Sequence, residues 1–243
     1  MLYRLPMPVI NVSFLPFVTK VLRTVCFGCM RLRCKDESLT PLLRAKDASF
    51  WTKNAQLRAL SGYIKGRRRC EHCNCVCPAI SVDKLCITWA WTPRDLVEIA
   101  DMVRTDPGNP QIFVPPDIDL PDLAPEGVDA KGKKLKPKAV GVKGTKRVKV
   151  IIDTQFIRDT LMAVDPLDFA KIGIDSAMSH PADAIIVALP VPPLAMRPTV
   201  HFSSSTRHRR VSDLTMRLQE IVRSGEKLRT LIKEQKEGDE DME

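Results

Sequence analysis

Apolar positions along the chain change their spacing several times, and each change predicts an element. Phe17, Val18, Val21, Leu22 and Val25 recur three and four residues apart. That spacing predicts a helix from about Phe14 to Leu32 after an extended lead-in. A second helical stretch covers 47–69 and ends in the basic run Lys65, Arg67, Arg68 and Arg69, so the chain loops back between the two. From Ile80 to Trp91 the pattern alternates and is rich in β-formers, which predicts a strand or hairpin. A short helix follows over Pro93 to Val103, with Thr92 as its N-cap and Pro93 in its first turn. Periodicity is then lost. Residues 106–127 are proline-rich and acidic, and residues 131–149 hold nine basic residues and no acid. Together they read as an exposed insertion whose basic run is either a solvated loop or a phosphate-contacting one.

Regular spacing returns at Val148, where VKVII predicts a strand. Thr154 to Val164 is an amphipathic helix with Phe156, Ile157, Leu161 and Val164 on one side. A shorter helix has Asp165 as N-cap, Pro166 at its first position and Gly173 past its end. AIIVAL, 184–189, reads as a buried strand. The prolines of PVPPLAMRP remove backbone donors and fix the backbone, so that stretch reads as a rigid extended connector. A long helix runs from Val211 to about Gln235, capped by Ser212, with Leu214, Leu218, Ile221, Leu228, Leu231 and Ile232 as its apolar stripe. The fold class expected is mixed α+β, mainly helical, with short strands.

Composition narrows the picture. With 243 residues and 44% hydrophobic content the chain can build one large domain or two small ones. A net charge of +9 leans toward polyanionic partners. No apolar run approaches the ~20 residues of a membrane helix. The apolar N-terminal stretch is broken by Pro6, Pro8 and Pro16 and does not read as a secretory signal. No membrane partner is therefore expected. The eight cysteines are expected in a reducing, intracellular compartment, where clustered thiols bind metal more often than they pair.

Those cysteines form two clusters. Cys26-x2-Cys29 and Cys70-x2-Cys73 are the paired knuckles that a tetrahedral structural zinc uses. Cys75, Cys77 and His72 lie close enough in sequence to substitute for a ligand, whereas Cys34 and Cys86 read as small hydrophobes or unpaired thiols. Four protein ligands leave no open position, so one Zn2+ here would be structural. There is no phosphate-binding G-x-x-x-x-G-K-[ST], no G-x-G-x-x-G and no H-E-x-x-H, and His180, His201 and His208 have no catalytic context. No catalytic residue is expected.

Five segments, in order, resemble a known family. PVINVSFLPFVTKVLRTVCFGCMRL (8–32) and CEHCNCVCPAISVDKLCITW (70–89) are similar to the two zinc knuckles of the largest subunit of multisubunit DNA-directed RNA polymerases. IIDTQFIRDTLMAVDPLDFAKIGID (151–175), LPVPPLAMRPTV (189–200) and SDLTMRLQEIVRSGEKLR (212–229) resemble that subunit's next helical unit, its proline-rich segment and the helix after it. The resemblance offers no counterpart for 92–147. In the second knuckle Asn74 stands where the family usually has glycine, and Cys77 where it usually has a polar residue.

The resemblance implies an N-terminal clamp portion of that subunit, eukaryotic, archaeal or viral in type, split or truncated, with a clamp-like fold. Its zinc ligands would be Cys26, Cys29, Cys70 and Cys73. Residues 1–91 would form the zinc-binding part, 92–147 the insertion, 148–236 a helical core with the PVPP connector and long helix, and 237–243 an acidic tail. The family's magnesium-binding aspartate motif does not occur, so Mg2+ would belong to the assembled polymerase and not to this chain. Implied partners are the rest of the largest subunit, the second-largest subunit, DNA and the RNA–DNA hybrid. Lys133, Lys134, Lys136, Arg147 and Arg197 are the candidate nucleic-acid contacts; for Arg197 an internal structural salt bridge is the stronger expectation. The implied location is intracellular: the nucleus in a eukaryote, the host cell or virion for a virus. The rival reading is a free-standing zinc-binding nucleic-acid or protein-interaction module.

Overall fold

The computed structural model describes residues 2–44, 53–114, 120, 147–198, 200–201 and 209–240. The candidate contacts Lys133, Lys134 and Lys136 lie outside these residues. The chain forms two units, one of residues 11–184 and one joining residues 1–10 to 185–243.

The larger unit begins with α1 (Leu15–Thr24), which buries Leu15, Val18, Val21 and Leu22. The expected helix ran on to Leu32. It stops at Thr24 because Val25 turns extended and bridges to Leu32, which folds the Cys26–Cys29 segment into a tight loop. A helix the spacing did not predict, α2 (Asp36–Arg44), follows; Pro41 masks it in the sequence, but Asp36 and Glu37 suit its positive N-terminal end. The helical stretch expected over 47–69 is α3 (Lys53–Ile64), which buries Leu57, Leu60 and Ile64.

The expected hairpin is present as β2 (Ala79–Asp83) and β3 (Cys86–Trp91), turned by Lys84 and Leu85 at φ 49° and 81°. β3 is the middle strand of an antiparallel three-stranded sheet, with β4 (Val148–Ile151) on its other edge. Ile87 to Trp91 are buried on both faces. Trp89 packs among Phe27, Phe113 and Phe156 at centroid separations of 5.6, 5.2 and 5.4 Å. Between β3 and β4 lies α4 (Pro93–Thr105), whose Thr92 and Asp95 form a reciprocal capping box. After β4 come α5 (Thr154–Ala163), capped by Asp153, and α6 (Pro166–Lys171), capped by Asp165. Gly173 at φ 79° ends α6, as its position in the sequence suggests.

In the smaller unit β1 (Leu2–Ile10) pairs antiparallel with β5 (Ile185–Pro190). AIIVAL was expected as a buried strand. With one partner strand it is half open, and Val187 is 41% exposed. The PVPP connector ends in a short 3₁₀ turn over Leu194–Met196. Two-residue strands β6 (Val200–His201) and β7 (Arg209–Arg210) then precede α7 (Asp213–Glu240). α7 runs to Glu240, beyond the end expected at Gln235. Its packed line overlaps the predicted stripe in part: Leu218 is buried and Leu228 and Ile232 are half-buried, but Leu214, Ile221 and Leu231 are exposed. The contacts with β1 run through Val222, Gly225 and Arg229. Tyr3 Oη donates to the Val222 carbonyl at 3.4 Å, and the Arg229 guanidinium lies 5.3 Å from the Tyr3 ring centre. A side chain at Gly225 would collide with the Tyr3 hydroxyl.

Candidate metal centre

Each cysteine pair sits in a short loop, and the two loops share one hydrogen-bond plan. In the first, the Met30 amide donates to Cys26 O at 3.0 Å, the Cys26 amide to Arg31 O at 2.9 Å, and the Arg33 amide to Thr24 O at 2.8 Å. In the second, Asn74 donates to Cys70 O at 3.0 Å, Cys70 to Cys75 O at 3.0 Å, and Cys77 to Arg68 O at 2.7 Å. Isolated bridges Val25–Leu32 and Arg69–Val76 close the two loops at their bases. The residue after each second cysteine is left-handed: Met30 at φ 53° and Asn74 at φ 57°. Asparagine tolerates that region and methionine does so at a cost.

The two loops face each other. The Sγ atoms of Cys26, Cys29, Cys70 and Cys73 all lie within 4.8 Å of one another. Across the pair, Cys26 and Cys73 are 3.5 Å apart and Cys29 and Cys70 are 3.8 Å apart. Sulfurs on a tetrahedron around an ion at about 2.3 Å stand about 3.8 Å from each other, so this set fits a tetrahedral Zn2+. Cys26 and Cys70 are buried; Cys29 and Cys73 are half-buried.

The alternative ligands make other contacts. His72 Nε2 is engaged with the Cys34 carbonyl at 3.0 Å. Cys75 Sγ accepts from the Phe113 amide at 3.5 Å. Cys77 Sγ comes within 3.9 Å of Cys26 Sγ and 3.6 Å of the Cys75 carbonyl. Both are buried among the four, so six sulfurs share one apolar pocket with Phe113 packed against it. Cys34 is buried and Cys86 exposed.

Packing thiols this closely splits their acidities. Sulfur–hydrogen contacts with Cys29 and Cys70 push Cys26 far up, whereas hydrogen bonds from Cys26 and Cys29 hold Cys70 far down. Burial drives Cys73 up to about 12, and a hydrogen bond from Cys26 brings Cys75 down to about 7. Crowded thiolates repel one another; a divalent cation offsets that repulsion by ionising its ligands.

Polar anchors hold the loops. The Arg33 guanidinium donates to Arg23 O at 3.3 Å and to Arg67 O at 2.5 Å, joining the segments that lead into the two loops. The buried Asp168 carboxylate accepts from the Leu32 amide at 3.2 Å and from Lys171 Nζ at 2.9 Å. Glu71 accepts from the Lys35 amide at 2.9 Å, Tyr63 Oη at 2.8 Å and Arg67 at 3.1 Å. Burial raises the Glu71 carboxyl, but these donors outweigh it and hold the group below its usual range. Gly28 lets the Gln111 carbonyl close against the first loop, where a Cβ would collide with it. Phe113 and Gln111 come from the stretch read as an insertion, and nothing in the local sequence marks them as part of the cysteine pocket.

The other candidate contacts are apart from this pocket. Arg147 is exposed at the start of β4. Arg197, in the smaller unit, donates from Nε to Pro192 O at 3.1 Å and from its terminal nitrogen to Thr215 Oγ1 at 3.4 Å. It therefore fastens the connector to the first turn of α7, through a carbonyl and a hydroxyl and not through the expected salt bridge.

The family described as RNA polymerase Rpb1, domain 1 matches residues 3–240. The chain belongs to this family. It is an N-terminal part of the largest subunit of RNA polymerase. It is 23% identical over 228 residues to DNA-directed RNA polymerase subunit Rpo1N of Thermococcus celer, covering 93% of this chain and 20% of that protein. With Rpo1N of Sulfolobus acidocaldarius it shares 24% over 229 residues, 93% of this chain and 20% of the relative. With DNA-directed RNA polymerase subunit 1 of Acanthamoeba polyphaga mimivirus it shares 25% over 226 residues, 91% of this chain and 12% of the relative. The chain thus spans a fifth or less of the length of these relatives. Among the described residues, no helix is long and apolar enough to cross a membrane.

Proposed function

We propose that the chain is a non-catalytic clamp part of the largest subunit of DNA-directed RNA polymerase, helping to hold DNA and the RNA–DNA hybrid in the cleft during transcription. The observation that carries this reading is the family match over nearly the whole chain, residues 3–240. The four-cysteine cluster supports it: one structural Zn2+ held by Cys26, Cys29, Cys70 and Cys73 would lock two loops and the aromatic core behind them into one rigid body. The partners are the rest of the largest subunit, the second-largest subunit and nucleic acid, inside the cell. Mg2+ and nucleotidyl transfer belong to other parts of the assembled enzyme. Arg197 serves the fold, and Lys133, Lys134, Lys136 and Arg147 remain the candidate phosphate contacts.

The test is a pull-down of the tagged chain from its native cells, with mass spectrometry and a zinc assay on the same eluate. Recovery of other polymerase subunits with one zinc per chain supports the proposal. Zinc without those subunits supports a free-standing module instead.

A further inference from the structure

The basic run at the end of α3 leads into the second cysteine loop, and the fold gathers its side chains with cations from distant positions. Arg23 of α1, Arg33 after the first loop, Lys65, Arg67 and Arg68, and Arg147 ahead of β4 line one open groove of about 670 Å³. Asp95 is the acidic group in its wall. Arg68 is paired with Asp95 at 3.0 Å and Arg67 with Glu71 at 3.1 Å. The remaining charges are not neutralised. Arg23 donates twice to the Ile80 carbonyl, at 3.0 and 2.9 Å, and Arg33 bonds carbonyls alone, so neither guanidinium has a carboxylate partner among the described residues. Lys65 and Arg147 are exposed and make no ion pair among the described residues.

Arg33 is the second pointer. It is 8% exposed, and its Nε–H has no hydrogen-bond partner among the described residues. A buried cation with an unmet donor is costly in isolation, and an anion nearby offsets that cost. The lining contains no aromatic side chain, so it offers no platform for stacking bases. Cations without stacking partners suit phosphates, which carry no sequence information.

We propose that this groove binds the phosphate backbone of nucleic acid, independently of sequence. The proposal rests on the polymerase reading above for the presence of nucleic acid and adds a defined surface on the larger unit. Lys65 and Arg147 supply free charge at the rim; Arg23 and Arg33, pinned by carbonyls, supply fixed charge within.

The experiment uses the full zinc-loaded chain and a short fluorescent DNA duplex, titrated over a range of salt. The charge-reversed pair Lys65→Glu/Arg147→Glu is compared with Arg94→Glu/Arg104→Glu, which makes the same charge change at exposed α4 positions outside the groove lining. Zinc content and circular dichroism confirm that each variant folds. The groove pair is expected to weaken binding about tenfold or more and to lower the salt slope by about 2, while the control pair weakens it less than about threefold. Equal weakening by both pairs, or no duplex binding by the unaltered chain, overturns the proposal. So does inorganic triphosphate occupying the groove at concentrations where duplex does not bind. The same variants in the pull-down keep the two readings apart. Polymerase subunits recovered without groove-dependent DNA binding leave the clamp reading standing and remove this one; the reverse pattern does the opposite.

Discussion

Met30 and Asn74 occupy the same place in two loops of matching geometry, at φ 53° and 57°, yet only one is a residue suited to that conformation. The left-handed region costs an ordinary L-residue about 1–2 kcal/mol, and asparagine less. Met30→Asn should recover about 1 kcal/mol without changing the chain entropy greatly. Met30→Gly recovers the same strain but returns about 0.5–1 kcal/mol through the freer unfolded chain. Because the loop adopts this shape to present its cysteines, the gain should appear in metal affinity. One kcal/mol corresponds to about fivefold in a dissociation constant. Competition with a chromophoric chelator at fixed pH should therefore show Met30→Asn binding Zn2+ about fivefold tighter and Met30→Gly less than that. Asn74→Met should bind about fivefold weaker. If Met30→Asn binds more weakly than the unaltered chain, or Asn74→Met is neutral, the equivalence of the two loops is wrong.

Other outcomes follow from the same geometry. Cys73→Ser should abolish stoichiometric zinc by atomic absorption, whereas Cys77→Ser, outside the four-sulfur set, should keep one ion per chain; loss in both would mean that five sulfurs share the work. Zinc affinity should rise with pH, because Cys73, pushed up to about 12 by burial, carries a proton at neutral pH that the metal must displace. Each proton displaced makes the apparent constant about tenfold weaker per pH unit of acidification, measurable by the same competition assay between pH 6 and 8, roughly the stable range. Gly225→Ala, in a helix where alanine normally gains about 1 kcal/mol, should instead lower the melting temperature through its collision with the Tyr3 hydroxyl.

Where the chain's own chemistry is local, the sequence was a sufficient guide. The caps Thr92 and Asp165 depend on neighbours a few residues away, and so does the hairpin over 79–91. The two C-x2-C spacings announced the knuckles for the same reason: a turn of four residues needs no distant partner. The sequence alone left open whether His72, Cys75 or Cys77 belonged with them. The structure brings four sulfurs within 4.8 Å and turns His72 to the Cys34 carbonyl, a choice made by where the second loop's backbone runs.

The remaining features depend on residues far apart in the chain. The first helix stops eight residues short of its expected end at Leu32 because Val25 pairs with Leu32. Part of the apolar stripe of α7, at Leu214, Ile221 and Leu231, stays exposed, while Val222 and Gly225 meet Tyr3, more than two hundred residues earlier. Phe113 joins the cysteine pocket, and Arg147 joins Arg23 and Lys65, only in the folded chain. Periodicity records which face of an element is apolar, but not which other element covers it. Only the tertiary fold, by burying one choice and leaving the others in water, decides that.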